Sequence, residues 1–478
     1  MKNSVLTHVM VVQQLARKRS AEIYLVGGFL RDLCLGRESR DYDFAVSTGA
    51  LDLASVFARK IRGAFIVLDR DHGCARVVKK YNGEIVTFDF ADFRSSSLRK
   101  DLTGRDFTIN TLSLDLQSWN GRDFQNGVRD YKGARKDLEA GRIRMVSART
   151  FAQDPLRLLR AFAQRAVLGF TIDRETLAQI RHDRVLIRNV SAERIRDELF
   201  KILESPRAAL VLRQMDRVGL LEHVIPQVRV MFGVRQGTYH HLDVWRHALE
   251  TVKQVEGLIK EFAGCDQTMT DYLQEPIAGN RSRRAVLKLA CLLHDAGKPE
   301  TRRREGQRIR FHGHEHAGRK IGAAVARHLK LSKRERHVLE NMIGLHLRPG
   351  YLSNVRHPSR RSLFRYFRDA GVEAAAIAVL AMADQRATRG PMTTDDDAAH
   401  HDVICRGLIR EFFQNHAGEP SPPLVTGHDL IQTLKLQSSP VFSKILGCIE
   451  EQRAAGKIQT REQALELARK IADEEGVA

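Results

Sequence analysis

Residues 23–32 read Ile23-Tyr24-Leu25-Val26-Gly27-Gly28-Phe29-Leu30-Arg31-Asp32, and residues 40–46 read Arg40-Asp41-Tyr42-Asp43-Phe44-Ala45-Val46. The first stretch is an apolar strand that runs into two glycines, after which a helical pattern begins. Glycines at such a turn let backbone N–H groups approach a phosphate closely, and a helix N-terminus adds a favourable partial charge. Arg31 can pair with phosphate oxygens. A Gly-Gly turn by itself is most often only a turn. In the second stretch, strand alternation puts Asp41 and Asp43 on one face. Adjacent carboxylates repel unless a cation sits between them, and Mg²⁺ binds through a few carboxylates plus substrate phosphates. A bare Asp-x-Asp is ordinarily a pair of solvated aspartates. Downstream of Gly-Gly-x-x-Arg it reads as a metal-holding pair.

The flanking sequence predicts the setting. Short β-rich runs at 22–26, 43–46, 64–68 and 84–90 alternate with turn signals, which indicates an α/β block over 22–130. Asp89 falls on the polar face of the last run. There it would complete a carboxylate cluster for two metals, with an exposed strand aspartate as the equal alternative. From about Ala148 onward, apolar residues recur three and four apart, as in 156–168 and 195–203, so the remainder is predominantly helical.

Composition bounds the function classes. A chain of 478 residues exceeds one ordinary core and implies about two to four domains. With 43% hydrophobic and 28% charged residues, and no apolar run of membrane-span length, it reads as a soluble globular protein without membrane partners. The first twenty residues read as an amphipathic helix, not a signal peptide. Six cysteines, none in a C-x-x-C pair, read as reduced, scattered core thiols and point to the cytoplasm. Lys and Arg outnumber Asp and Glu by 78 to 58, a formal charge of +20. Arginine-rich stretches at 181–188, 281–284, 302–310 and 356–368 spread that charge along the chain, which suits a nucleic acid better than a small anion.

The order Gly27-Gly28-x-x-Arg31-Asp32, Asp41-x-Asp43, then Arg105-Asp106-Phe107-Thr108-Ile109-Asn110 resembles the class II tRNA nucleotidyltransferase and bacterial poly(A) polymerase family. Phe151-Ala152-Gln153-Asp154-Pro155-Leu156-Arg157-Leu158-Leu159-Arg160 resembles its nucleotide-selecting helix, and Ser191-Ala192-Glu193-Arg194-Ile195-Arg196-Asp197-Glu198-Leu199 its next helical motif. The resemblance covers about residues 20–230. It implies tRNA, CTP and ATP as partners and Mg²⁺ at Asp41 and Asp43. Gly27, Gly28, Arg31, Arg105 and Arg160 would bind the triphosphate. Asp154 and Arg157 would select the base: a carboxylate accepts from the exocyclic amine of cytosine or adenine, and a guanidinium donates to the ring nitrogen. The residues alone also allow a plainer reading. Asp154 with Pro155 can cap a helix, and Arg157, a turn later, can pair with Asp154. Gln153, Gly104 and Ala163 depart from the residues common in the family, which bears on nucleotide preference and not on the reaction.

Between the Asp89 strand and Arg105 the chain is brief. Family members that add the terminal A generally carry a longer flexible segment here. Two readings stand, a CC-adding member and a trimmed CCA-adding one.

Ten of the 19 histidines fall between His240 and His346. Within that region, 287–299 is an apolar helix that ends in adjacent His294 and Asp295, with Gly297 and Pro299 stopping it. Imidazole beside carboxylate suits a first-row divalent metal. With His240-His241-Leu242-Asp243-Val244-Trp245-Arg246-His247 upstream and Leu380-Ala381-Met382-Ala383-Asp384 downstream, the pattern resembles the HD metal-dependent phosphohydrolase superfamily. That implies His247, His294, Asp295 and Asp384 as ligands of a divalent transition metal, with His314 and His346 enlarging the site for a second. The segment from Pro423 resembles the C-terminal part of the tRNA nucleotidyltransferase family.

The expected fold class is α+β: a polymerase-beta-like nucleotidyltransferase head with a small mixed sheet, then a helical body, then an all-α HD domain. The expected boundaries are 1–147 for the head, 148–232 for the neck, 233–414 for the HD domain and 415–478 for a small tRNA-binding end. The alternatives are a poly(A) polymerase and, in a different class, an HD phosphohydrolase whose head only binds RNA.

Overall fold

The computed structural model describes residues 2–19, 21–81, 83–120, 127–237, 241–306, 308–390, 394–416, 423–437 and 439–476. His240 and residues 417–422 of the polar stretch before Pro423 lie outside them. The chain forms two compact units, Met1–Ile202 with Gln214–Val224, and Leu203–Arg213 with Ile225–Ala478.

The first unit is built on a seven-stranded mixed sheet. Its strands are β1 (Ile23–Val26), β2 (Asp41–Val46), β3 (Ala64–Asp69), β4 (Cys74–Tyr81), β5 (Glu84–Asp92), β6 (Leu112–Asp115) and β7 (Val128–Asp130), in the spatial order β3-β4-β5-β2-β1-β6-β7. Neighbours are antiparallel except β2 and β5, which run parallel. Period-two alternation gives this sheet two unlike faces. Tyr42 and Phe44 of β2 lie in register with Phe88 and Phe90 of β5, and all four rings are buried. Phe44 and Phe90 stack at 4.8 Å, and Phe57 from the helix Ala50–Ile61 meets Phe88 edge-on at 5.0 Å. On the opposite face the same register sets Asp41 beside Thr87 and Asp43 beside Asp89. The aromatic layer is the core that fixes where the aspartates stand.

Helices dominate from residue 150 onward. In the second unit, the helix Ala374–Ala387 is buried on almost every side from Ala374 to Ala383. Such a helix, apolar all round, can only sit at the centre of a bundle. The helices Val244–Cys265 and Arg283–Leu293 pack against it. Two short hairpins, Pro276–Ala278 with Arg281–Ser282 and Arg303–Glu305 with Arg308–Arg310, interrupt the helical pattern. The last three helices, Gly427–Leu434, Val441–Ala454 and Arg461–Glu474, share a small core of their own around Leu430, Ile445, Ile449 and Ala468.

Arg283 is 2% exposed and bonds Glu373 at 2.9 Å and Glu275 at 2.6 Å, with its guanidinium over the Tyr272 ring at 4.1 Å. Removing the guanidinium leaves the Glu373 carboxylate buried without its partner, at a cost of about 3–5 kcal/mol. Arg283→Ala is expected to lower the midpoint of denaturant unfolding accordingly. Arg283→Met together with Glu373→Leu is expected to recover much of the loss.

The cysteines depart from the expected core placement. Cys291 and Cys405 are buried, but Cys34 and Cys265 are exposed, and all six thiols are free. A Cys at a helix end or on a solvated helix face has no apolar neighbours to bury it, and sequence spacing does not reveal which face it occupies. Among the described residues, no helix is long and apolar enough to cross a membrane.

Candidate functional site

In the first unit, β1 leads into the helix Gly28–Cys34 through Gly27, whose φ of +73° is a glycine conformation. A Cβ there would also lie 2.8 Å from Asp43 Oδ2. The glycine turn is therefore what lets the β2 carboxylate approach the helix start. Gly28 N–H hydrogen-bonds Asp43. This backbone donor, which the sequence suggested for phosphate, serves the aspartate.

A cleft of about 350 Å³ opens on this face of the sheet. Gly27, Gly28, Asp43, Asp89, Arg105, Asp154, Arg157 and Arg160 all line it. Asp41 lies on the same strand face but at its exposed end, where its carboxylate accepts from the Thr87 hydroxyl. Arg31 sits behind Gly28, bonded to Asp32 at 2.8 and 2.9 Å and to Asn110 at 3.0 Å.

Three contacts differ from the sequence reading. Asp89 neighbours Asp43, but both its oxygens accept from Arg76 at 2.7 Å, because β4 places Arg76 directly opposite. Asp154 pairs with Arg194 at 3.0 Å and not with Arg157. Asp154 has extended backbone before the helix Arg157–Leu168, so the two side chains do not share a helical face. The Arg157 guanidinium instead donates to the Gly104 carbonyl at 2.8 Å and to the Thr150 carbonyl at 3.3 Å.

The cleft also contains groups that the sequence reading gave no role. Arg94 and Arg194 add guanidinium charge, and buried Asp106 holds Arg160 at 2.9 Å. Burial works against ionising Asp106, but Arg160, Asn110 and the Phe107 N–H hold its carboxyl below the usual range. Arg194 and Asp106 lie inside motifs quoted above. What could have flagged them is their place beside the predicted site residues, not their own spacing.

Burial and the Asp89 charge push the Asp43 carboxyl up, against the opposing pull of Arg105 and Arg160. Such a carboxylate, desolvated and facing another acid, fits a divalent cation.

The second unit gathers the histidines. The helix Arg283–Leu293 ends at His294 and Asp295, and the central helix Ala374–Ala387 delivers Asp384. His247 comes from the first turn of Val244–Cys265, His314 from the start of His314–His328, and His346 from just past Lys333–Leu345. Gly297 permits the approach: a Cβ on it would lie 2.1 Å from the His314 carbonyl oxygen.

The Asp295 carboxylate divides this cluster. Its Oδ2 lies 3.2 Å from His294 Nε2 and 3.6 Å from His247 Nε2, while its Oδ1 lies 3.3 Å from His314 Nε2 and 4.0 Å from His346 Nε2. Asp384 Oδ1 is 2.8 Å from His247 Nε2. Three rings are locked the same way: Nδ1 of His294, His314 and His346 donates to the carbonyl three residues earlier, at 2.9, 2.8 and 2.7 Å. That bond leaves each Nε2 lone pair turned inward, the tautomer a metal requires.

The electrostatics agree. Burial alone would depress His294, but Asp295 and Asp384 overrule it and push its pKa up to about 10. Both carboxylates stay well below the usual range despite burial, held there by His294. His346 is pushed down to about 3 by burial and by the His294 and His314 imidazoles. A proton on His294 thus balances buried acids in the metal-free centre. The donor set fits two divalent cations, one on each side of Asp295.

The chain matches the model of the poly A polymerase head domain over residues 23–144. It matches the probable RNA and SrmB-binding site of polymerase A over 169–231 and the HD domain over 244–380. It is 32% identical to a CC-adding tRNA nucleotidyltransferase of Thermus thermophilus, over 93% of this chain and 92% of that one. It is 30% identical to an A-adding tRNA nucleotidyltransferase of Deinococcus radiodurans, over 94% and 95%. Among solved structures, a CCA-adding enzyme in an apo form aligns with a TM-score of 0.65 at 18% identity, over 98% of this chain and 94% of that one. The Thermotoga maritima CCA-adding enzyme complexed with tRNA aligns at 0.58 and 20% identity, over 98% and 95%. Identity of this order across more than nine-tenths of both chains, with the head, RNA-binding and HD models in sequence, places this chain in the family of tRNA nucleotidyltransferases and bacterial poly(A) polymerases.

Proposed function

We propose that this chain is a tRNA nucleotidyltransferase that adds CMP to the 3′ end of tRNA, that terminal A addition is absent or weak, and that its HD centre is a phosphohydrolase. The observation that carries the first part is the register of β2 on β5, which sets Asp43 beside Asp89 in a cleft with the guanidinium groups of Arg94, Arg105, Arg157, Arg160 and Arg194. Carboxylates on one side and guanidiniums around them suit a nucleoside triphosphate with its cations.

Asp41 and Asp43 would hold Mg²⁺, which when bound activates the attacking hydroxyl and stabilises the charge on the leaving pyrophosphate. Arg105 and Arg160 face the cleft and would bind the phosphates, with Arg31 bracing the turn from behind Gly28. Asp154 and Arg157 would read the base once they exchange their present partners for it. Asp89 stands close enough to join the cation site if Arg76 releases it. At the HD centre, His247, His294, Asp295 and Asp384 would hold one divalent cation, and His314 and His346 a second across Asp295. The formal charge of +20 supports a polyanionic partner. We divide the chain into a head (1–147), a neck (148–232), an HD domain (233–414) and a small tRNA-binding end (415–478); the matched segments 23–144, 169–231 and 244–380 fall inside the first three.

Restriction to CMP rests on the connection after β5. Only residues 93–97 separate the strand from the helix Leu98–Thr103, and the Arg94 N–H is tied to Asp101 at 3.1 Å. Just beyond, the Gly104 carbonyl holds Arg157. A segment this short and pinned has little slack to reshape the base pocket between C and A. The test offers each labelled NTP to tRNAs truncated by one, two or three residues. Two CMP residues on the fully truncated tRNA, with AMP incorporation onto a CC end at least about 100-fold slower, is the expected result. Efficient AMP addition would overturn the restriction, and no incorporation at all would overturn the transferase reading.

A further inference from the structure

Beyond Asp384 the chain turns back and runs as the helix Asp395–His416. The matched HD segment ends at residue 380, so this returning helix lies outside it. Its first turns wall a cavity of about 470 Å³ that is lined by His346 and Asp384 of the metal-type cluster and also by Tyr351, Asn354, His400 and His401.

The two histidines are not equivalent. His400 Nε2 is 3.2 Å from the Val355 carbonyl oxygen and has a partner there. His401 is 7% exposed, and the contacts of its ring nitrogens among the described residues are with the Cys405 thiol, at 3.7 and 3.8 Å. A thiol is a weak donor and a weak acceptor. A buried imidazole with so little hydrogen bonding is unusual unless the space it faces supplies a partner. The facing helix, Arg348–Ser353, carries Gly350 where a side chain would stand. A Cβ built on Gly350 would have His401 Nε2 as its nearest neighbour, at 3.9 Å. The glycine therefore keeps the space beside Nε2 open.

The cavity's charge defines what enters it. Among the described residues no Lys or Arg lines it, and Asp397 adds a carboxylate at its rim. A phosphoryl group finds positive charge only at the centre itself. What extends outward must be uncharged and able to hydrogen-bond. We propose that His401 is a specificity-determining residue of the HD centre, whose Nε2 hydrogen-bonds the neutral, hydroxyl-bearing alcohol part of a phosphoester. Esters that carry a further phosphate on that part are disfavoured.

This inference rests on the phosphohydrolase reading of the HD centre. The test uses the full chain loaded with a divalent metal. Its substrates are a nucleoside monophosphate, as a hydroxyl-bearing ester, and p-nitrophenyl phosphate, an ester without hydroxyls. His401→Phe is expected to raise KM for the nucleotide about tenfold while leaving kcat and the p-nitrophenyl phosphate kinetics within about twofold. Metal content is expected to stay the same. His401→Gln, which restores a polar atom near Nε2, recovers most of the loss. Gly350→Ala replaces a helical glycine and so is not expected to unfold the chain. It fills the space beside Nε2 and raises the same KM. Calorimetric binding of the nucleotide and of inorganic phosphate supplies a readout apart from turnover: His401→Phe weakens the first and not the second. Equal losses on both esters, or no change on either, would overturn the role of His401 while leaving the phosphohydrolase reading in place. A wild-type chain that binds metal but hydrolyses neither ester would overturn both.

Discussion

Asp43→Asn is expected to lower nucleotide incorporation by at least about 10³-fold and to leave the HD phosphohydrolase unchanged. A bound cation stabilises the transition state of phosphoryl transfer by several kcal/mol, and each 1.4 kcal/mol is tenfold in rate. Asp43 is the aspartate in contact with the glycine turn and in register with Asp89, so its loss dismantles the carboxylate pair at the floor of the cleft. Asn preserves the shape of the side chain and can still accept from the Gly28 N–H, so the turn should persist. The variant also carries a signature that damage to the fold would not produce. Burial, foremost, and the nearby Asp89 raise the Asp43 carboxyl above its ordinary range. A group raised in this way contributes stability in acid that is lost as pH rises through the raised value. At neutral pH the metal-free head therefore carries a charge penalty, and Asn removes it. Thermal unfolding of the metal-free variant is expected to rise above wild type near pH 7, with the gap closing below about pH 4. Activity lost together with a lowered melting temperature at neutral pH would instead mean that the substitution broke the fold. Stability surrendered for charge at a reaction centre is a common trade.

Much of this was legible in the chain because alternation is local. The Asp41, Asp43 face and the Tyr42, Phe44 face follow from a period of two, and the structure keeps both. Partnerships across strands are another matter. Asp89 reads as a polar-face aspartate, but that it faces Asp43 depends on β5 pairing parallel to β2 after the β3-β4 hairpin intervenes. That Arg76 clamps it depends on the register of β4, which no local pattern encodes. The plainer reading of an Asp154–Arg157 pair fails for a similar reason. Spacing allows it only if both residues are helical, and the helix begins at Arg157. In the second unit, sequence brings His294 and Asp295 together because they are adjacent. It does not reveal that the two oxygens of Asp295 face different histidine pairs, because those come from helices far apart in the chain. His401 stayed hidden because a histidine on a polar helix is ordinarily solvated, and only packing against the central helix and the helix Arg348–Ser353 buries it.

Asp295→Asn is expected to remove metal from the HD centre altogether and to lower phosphohydrolase activity by about 10³-fold or more, with nucleotide incorporation unchanged. The reason is its position and not merely its charge. Oδ2 faces His247 and His294, and Oδ1 faces His314 and His346, so one side chain would serve both proposed cation positions. Asn offers one weak acceptor and no charge. His314→Ala is therefore the contrasting variant: it removes a ligand from one side only and should leave His247, His294, Asp295 and Asp384 able to hold a cation. Metal content by mass spectrometry should fall by about half in His314→Ala and nearly to zero in Asp295→Asn. Equal content in the two variants would refute the bridging role. Folding must be separated from metal loss, because Lys298 is 7% exposed and its Nζ lies 2.7 Å from Asp295 Oδ2. Losing that partner leaves a buried ammonium with the Gln236 amide oxygen at 2.6 Å and the Phe311 ring at 5.7 Å, but no opposing charge in contact among the described residues. The stranded charge costs about 3–5 kcal/mol. Asp295→Asn with Lys298→Met removes both charges and should regain stability without regaining metal. If the double variant did regain metal, Lys298 rather than the lost carboxylate would be what excluded the cation.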